Sequence, residues 1–295
     1  MTGSIAFLRP TSVAEAVGML REHGDEAKVV AGSTALTIML RNRLIDPSVL
    51  VSIGGLPGLR DIAVADGVLR LGALATHRTV ERDPAVAAAH PVLAATFAKV
   101  ANVRVRNAAT VGGVVAEADY ASDPPAAFVG LDAEIVAHGP DGERVIPAVE
   151  FFVAFYETAL APDEIVTAVR VPVPPAGTGA TYEKFVTRSS EDRPCVGVFA
   201  SCRATGPDRF DDVRVSVGAA AETPQRFRDV EATANGTDLG DDLRRAIADA
   251  YAERIETLDD VRGSAWYRTE MVRVWVRRAL ETARGRAAAA ATDAR

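Results

Sequence analysis

Two short segments hold the residues best suited to grip an anion. Ala31-Gly32-Ser33-Thr34 follows the apolar pair Val29-Val30, and Thr110-Val111-Gly112-Gly113 stands further along the chain. Each is expected to place small residues directly after an apolar strand. There, successive backbone N–H groups can turn towards one point and form an anion-binding concavity. Glycine suits such a turn because a Cβ would hold the anion away or forbid the conformation. A diphosphate needs several donors, each hydrogen bond to a charged oxygen contributing roughly 1.5–3 kcal/mol net. Asp123 follows Gly113 at a distance of ten residues and precedes Pro124 and Pro125. A carboxylate accepts hydrogen bonds from hydroxyls, and its charge strengthens them. Donors for a diphosphate followed by an acceptor for a polyol is one reading. The other is local, because Ser122-Asp123-Pro124 is also good helix-start chemistry.

Other site chemistries find little support. Both the G-x-G-x-x-G fingerprint and the P-loop pattern are missing, so neither a Rossmann site nor a P-loop nucleotide site is indicated. The two cysteines, Cys195 and Cys202, supply too few thiolates for an iron–sulfur cluster and do not fit a zinc ribbon. They read as buried, reduced thiols. His23, His77, His90 and His138 lie far apart without a metal-ligand spacing and read as surface or capping residues.

The elements that must position these residues follow from periodicity. Ser12 and Glu15 form a capping box ahead of a helix with Val13, Ala16, Val17 and Leu20 on one face, ended by Gly24. Val29 and Val30 form a short buried strand, and Ala35 to Leu40 begins another helix. Asp66-Gly67 turns a hairpin, and Pro140 to Gly142 turns a second. Pro91 divides "AVAAAHPVLAATFAKVA" into two helical pieces. "DEIVTAVRVPVPP" is a strand closed by prolines, and the Pro/Gly-rich stretch 172–179 is a domain joint. Three strands follow, then two helices, one with Leu243, Ile247, Ala250 and Tyr251 on a face, the other with Val272, Trp275, Val276, Ala279 and Leu280. The class is α+β. The 295 residues, 48 % hydrophobic and 25 % charged, suit two or three domains. A net charge of −7 without a basic cluster argues against nucleic acid. "MTGSIAFLRPTS" contains no long apolar run, so neither a signal peptide nor a membrane span is expected, and the location is cytoplasmic.

"VVAGSTAL", "LGALATH", "VRNAATVGG" and "AEADYASDPPAAFVGLDAEI", in that order, resemble the FAD-binding subunit of the molybdenum hydroxylases, a family that includes the medium subunit of aerobic carbon monoxide dehydrogenase and the flavin domain of xanthine dehydrogenase. "DEIVTAVRVP", "YEKFVTRSSED" and "SAWYRTEMVRVWVRRAL" extend the similarity over nearly the whole chain. The resemblance implies an FAD-binding domain of the PCMH, vanillyl-alcohol oxidase-like type, with subdomains 1–58 and 59–175, and a C-terminal α+β domain over 176–284 of the CO dehydrogenase flavoprotein type. The alanine-rich 285–295 reads as a frayed tail.

The resemblance also assigns roles. Val29, Val30, Ala31, Gly32, Ser33, Thr34, Ala35 and Leu36 match the first diphosphate loop, and Thr110, Val111, Gly112, Gly113 and Val114 the second. Asp123 matches an acidic residue on ribityl or ribose hydroxyls. Val100 and Ala101 match a segment packed on the cofactor, Val166 or Thr167 a position near the flavin or adenine end, and Lys184 a nearby basic residue. Thr76 is the contact expected from "LATHRTV", with His77 capping the helix. Three positions depart from the pattern: Ser33 replaces a glycine, Val114 a polar residue, and Glu117 an Asn or His. With neither His nor Cys in the loops, FAD is expected to be non-covalent. The implied function is electron transfer. A molybdenum–molybdopterin cofactor in a large partner hydroxylates the organic substrate, two [2Fe-2S] clusters in a small partner relay electrons, and FAD passes them on. The implied assembly is a dimer of heterotrimers. A stand-alone flavoenzyme and a scaffold that has lost FAD are the alternatives.

Overall fold

The structure, a computed structural model, describes residues 5–293. Its first unit is a parallel sheet of β1 (Ala6–Leu8), β2 (Ala27–Val30) and β3 (Val49–Ser52), in the order β1-β3-β2. Helix α1 (Val13–His23) covers it with Ala16, Val17 and Leu20, which pack against Val49 and Val51. Ser12 caps α1 by accepting from the Glu15 N–H at 3.1 Å. The other half of the expected box is displaced, for Glu15 accepts from the N–H and hydroxyl of Thr11. Helix α2 (Leu36–Arg41) follows β2.

The second unit is an antiparallel sheet. It comprises β4 (Ile62–Ala65), β5 (Val68–Gly72), β6 (Glu134–Gly139), β7 (Gly142–Pro147) and β10 (Ile165–Pro172), ordered β4-β5-β10-β6-β7. Both expected hairpins form. Asp66 and Gly67 have φ of 51° and 73°, the left-handed pair a two-residue turn demands. Between β5 and β6 the chain makes α3 (His77–Arg82), α4 (Pro84–Ala89), α5 (Pro91–Ala98), α6 (Val103–Arg106), α7 (Val111–Glu117) and α8 (Asp123–Gly130). After β7 come α9 (Ala148–Phe151) and a small ribbon of β8 (Phe152–Ala154) with β9 (Glu157–Thr158).

The third unit is the meander β11 (Thr178–Phe185), β12 (Val196–Gly206) and β13 (Arg209–Gly218), followed by α10 (Arg228–Ala232), α11 (Asp241–Arg254) and α12 (Ala265–Asp293). Alternate β12 residues bury opposite faces. Val198, Ala200 and Cys202 pack under α11 and α12, while Phe199 joins the core of the second unit beside Phe128 of α8. A Cβ on Gly130 would lie 2.1 Å from the Phe199 ring, so this glycine lets α8 seat on the sheet. That seating brings the start of α8 over β11.

Two expectations fail here. The tail is not frayed from residue 285, since α12 continues to Asp293. Ala283 and Ala287 are buried, and a Cβ on Gly179 of β11 would lie 2.1 Å from the Ala287 N. Small side chains read as featureless because their role is close backbone approach. His77 is likewise neither surface nor cap, at 2 % exposed, while His90, 1 % exposed, does stand at the cap position between α4 and α5. Cys195 and Cys202 are free and buried, as expected.

Candidate FAD site

A cavity of about 930 Å³ is walled by all three units. Its lining brings together Val29, Ala31 to Leu36, Val100, Ala101, Thr110, Gly112 to Val114, Asp123, Val166 and Lys184, which stand far apart in the sequence.

The first loop behaves as its composition suggests. Among the described residues, the N–H groups of Gly32, Ser33, Thr34, Ala35 and Leu36 make no intramolecular hydrogen bond. These residues are half-buried, and a run of free donors on a cavity wall offers a place for an anionic acceptor. Gly32 is fixed sterically, since a Cβ there would meet the Ala108 carbonyl oxygen at 1.9 Å. Ser33 has φ of 59°, the left-handed region that favours glycine. Its hydroxyl lies 3.0 Å from that of Thr37.

The second segment differs from expectation. No strand precedes it; Thr110 caps α7, and both glycines lie in that helix's first turn. Their donors are already used: Val111 N–H bonds the Ala75 carbonyl at 3.0 Å, Gly112 N–H that of Ala73 at 2.7 Å, and Gly113 N–H the Thr110 hydroxyl at 3.1 Å. Gly112 is needed for contact, because its Cβ would sit 2.7 Å from that of Ala73. This segment shapes the wall, and the free donors belong to the first loop.

Asp123 opens α8 and is 3 % exposed. Its carboxylate does not cap the helix. Oδ1 accepts from the Tyr182 hydroxyl and Oδ2 from the Lys184 ammonium, both at 2.9 Å. Lys184 also donates to the Lys99 carbonyl at 2.8 Å. Burial pushes the Asp123 carboxyl above its ordinary range, while Lys184 and Tyr182 pull it back. Each carboxylate oxygen retains a lone pair, and the lysine one N–H.

This fold occurs in known proteins. Residues 3–174 match the family model "FAD binding domain in molybdopterin dehydrogenase", and residues 180–283 match "CO dehydrogenase flavoprotein C-terminal domain". The chain belongs to the FAD-binding medium subunits of the molybdopterin hydroxylases. It is 34 % identical over 283 residues to the nicotine 6-hydroxylase medium subunit of Paenarthrobacter nicotinovorans, covering 96 % of this chain and 98 % of that one. With the carbon monoxide dehydrogenase medium chain of Hydrogenophaga pseudoflava it shares 33 % over 279 residues, covering 95 % and 96 %. A chain in the solved carbon monoxide dehydrogenase of that organism superposes with a TM-score of 0.93 at 34 % identity, covering 97 % and 99 %. Quinoline 2-oxidoreductase of Pseudomonas putida 86 gives 0.91 at 27 % identity, covering 97 % and 98 %.

Within this medium subunit, four expected contacts lie outside the cavity wall. Val30 stays in β2 and accepts from the Ile53 N–H. Thr76 caps α3 by accepting from the Thr79 N–H, so the expected roles of Thr76 and His77 are exchanged. His77 lines the cavity against Phe97, and burial pushes its pKa down to about 4, keeping it neutral. Val111 is wholly buried core, and the Thr167 hydroxyl turns to the Val136 carbonyl while Val166 faces the cavity. Arg106 donates to both the Val100 and Ala101 carbonyls and holds Glu81 at 3.0 Å, which fixes that wall.

Several lining residues lie beyond the expected set. Ile38, Met39 and Ile45 supply apolar wall; Arg188, Arg193 and Arg262 supply charge. Glu117, visible in the sequence only as a departure from pattern, also faces the cavity. Burial and the neighbouring Asp119 carboxylate push its pKa up to about 7, partly offset by Arg193 at 3.9 Å.

Gly113→Val should separate flavin binding from folding. A Cβ at residue 113 would stand 2.8 Å from the Thr110 hydroxyl, and further atoms would enter the cavity. Losing the cap costs about 1 kcal/mol. Bound flavin should fall to a small fraction of wild type while circular dichroism keeps the native spectrum. Full flavin content in the folded variant would remove this segment from the site.

Proposed function

We propose that this subunit binds FAD non-covalently in the cavity and transfers electrons, receiving them from [2Fe-2S] clusters in a small partner and passing them to a terminal acceptor. Those electrons come from an organic substrate hydroxylated at a molybdenum–molybdopterin cofactor in a large partner, and the assembly is a cytoplasmic dimer of heterotrimers. The observation that carries this reading is the run of free N–H groups from Gly32 to Leu36, on residues that line the same cavity as the Asp123–Lys184 pair. Anion donors and a polyol acceptor lining one cavity fit a flavin dinucleotide. Among the described residues, no helix is long and apolar enough to cross a membrane.

Bound FAD supplies a carrier that accepts and releases electrons singly or in pairs. The chain supplies position and environment. The first loop donates to the diphosphate without a Cβ at residue 32 in the way. Asp123 accepts hydroxyls through its remaining lone pairs, and Lys184 offers its third N–H. Val100, Ala101 and Val166 pack on the cofactor and exclude water. His77 stays uncharged, while Glu117 holds a proton over part of the neutral range. Ser33, Ala101 and Tyr156, all on the wall, have φ between 42° and 59°. Such strain persists where surrounding structure enforces it and gathers at binding sites.

Affinity purification of the tagged chain from its native cells tests the assembly. Molybdenum and iron should elute with it, together with two further chains. Elution alone with FAD would favour a stand-alone flavoenzyme; elution with partners but without flavin absorbance would favour a scaffold.

A further inference from the structure

Tyr182 has no place in the cavity wall, yet it is the best-buried polar neighbour of a residue that does. It is 2 % exposed, and its hydroxyl donates to Asp123 Oδ1 at 2.9 Å. Tyr182 and Lys184 are two residues apart on β11 and share the face turned to α8. They hold separate oxygens of one carboxylate. A second observation shows that space is kept for the hydroxyl. On the neighbouring strand, a Cβ at Gly197 would lie 2.2 Å from the Tyr182 hydroxyl oxygen and 3.0 Å from Cζ. Gly197 does not have positive φ, so the glycine answers a steric need and not a conformational one.

We propose that Tyr182, with room made by Gly197, is a positioning residue that holds Asp123 ionised and orients its free lone pairs towards the cofactor hydroxyls. The inference rests on the flavoprotein reading above. A carboxylate held by one lysine alone can turn about its side-chain torsion. Held at both oxygens, it presents one fixed pair of acceptor directions. The hydroxyl also stabilises the charged form of a buried acid.

Charged groups around the carboxylate come from three elements. Lys184 and Glu183 lie on β11, Lys99 follows α5, and Arg286 of α12 reaches the same region and donates to the Ala180 carbonyl. Lys99 donates to the Tyr182 carbonyl, so it braces the tyrosine backbone. In Tyr182→Phe all of these remain, and only the donor to Oδ1 is lost.

The sign of the pH effect follows. Cofactor hydroxyls donate to the ionised carboxylate, so Asp123 is harder to protonate with FAD bound than without. Affinity is therefore full above the pKa of the cofactor-free protein and falls as pH drops through it. Removing the tyrosine donor raises that pKa, and the acid-side loss of affinity begins at higher pH.

The test is a flavin titration of apoprotein at a series of pH values for wild type, Tyr182→Phe and Gly197→Ala, with circular dichroism as the fold control. Both variants should bind FAD about tenfold more weakly at neutral pH, because the Asp123 acceptors are no longer held towards the cofactor hydroxyls. Both should also show the acid limb moved to higher pH. Gly197→Ala keeps the hydroxyl but displaces it, so it gives an independent reading if Tyr182→Phe folds poorly. Wild-type affinity and profile in either folded variant would overturn the proposal. So would weaker binding by the same factor at every pH, since that marks loss of packing alone. Wild-type apoprotein that takes up no FAD would overturn the flavoprotein reading itself, and this inference with it.

Discussion

Gly32→Ala should lose both bound flavin and a large part of the stability. The added methyl would stand 1.9 Å from the Ala108 carbonyl oxygen, 2.7 Å from its carbon and 3.1 Å from the Ala109 Cα. All three are backbone atoms, which no rotamer change can move. Overpacking a well-packed core costs about 1–3 kcal/mol, and a backbone clash lies at or above that limit. Relief requires the first loop to move away from the 108–109 segment. That segment anchors the site elsewhere, because the Ala109 carbonyl accepts from the His77 N–H at 2.9 Å and Ala109 lines the cavity. The expected result is apoprotein destabilised by about 3 kcal/mol in urea and flavin content near zero. A variant with wild-type stability and full flavin would show that the loop does not take this path.

Asp123→Ala should be the other severe change. It removes one partner of a buried ion pair whose side chains are 4 % and 6 % exposed. Lys184 would keep only the Lys99 carbonyl, and the Tyr182 hydroxyl would lose its acceptor. Leaving a buried charge unpaired costs about 3–5 kcal/mol. We expect a corresponding drop in urea stability, together with loss of most FAD affinity. Asp123→Asn keeps the shape and a carbonyl acceptor and should fold more stably than the alanine variant. It also isolates a pH effect. Burial raises the folded-state pKa of Asp123 above its unfolded value. Its contribution to apoprotein stability is therefore greatest in acid and declines as pH rises through the folded value. That dependence should be absent from Asp123→Asn. An alanine variant as stable as wild type at neutral pH would contradict the ion pair.

Much of this site was legible because its determinants are local. Gly32 and Ser33 break a strand, and the left-handed φ of Ser33 explains why a glycine is usual there. Asp66-Gly67 and Pro91 gave their turn and helix break directly, since proline and glycine act on their own backbone. The errors have a common cause in long-range packing. Nothing near Thr110 shows that the Ala73 and Ala75 carbonyls occupy the donors of α7. Nor does "LATHRTV" show that Thr76 caps and His77 faces inward, because either is acceptable at a helix start. Asp123 was legible as an acid of the cavity, but its partners stand on β11, about sixty residues on. Alanines 283 and 287 lack the periodic bulk that reveals a buried face, and Gly179 supplies the matching surface from another strand.

Acid precipitation of the purified protein, with the supernatant resolved by chromatography against FAD and FMN, tests the central claim most directly. A non-covalent dinucleotide held by the free donors of residues 32–36 predicts a yellow supernatant containing FAD equimolar with the chain, above a colourless pellet. Colour retained in the pellet, FMN in the supernatant, or protein isolated from its native cells without any flavin would contradict it.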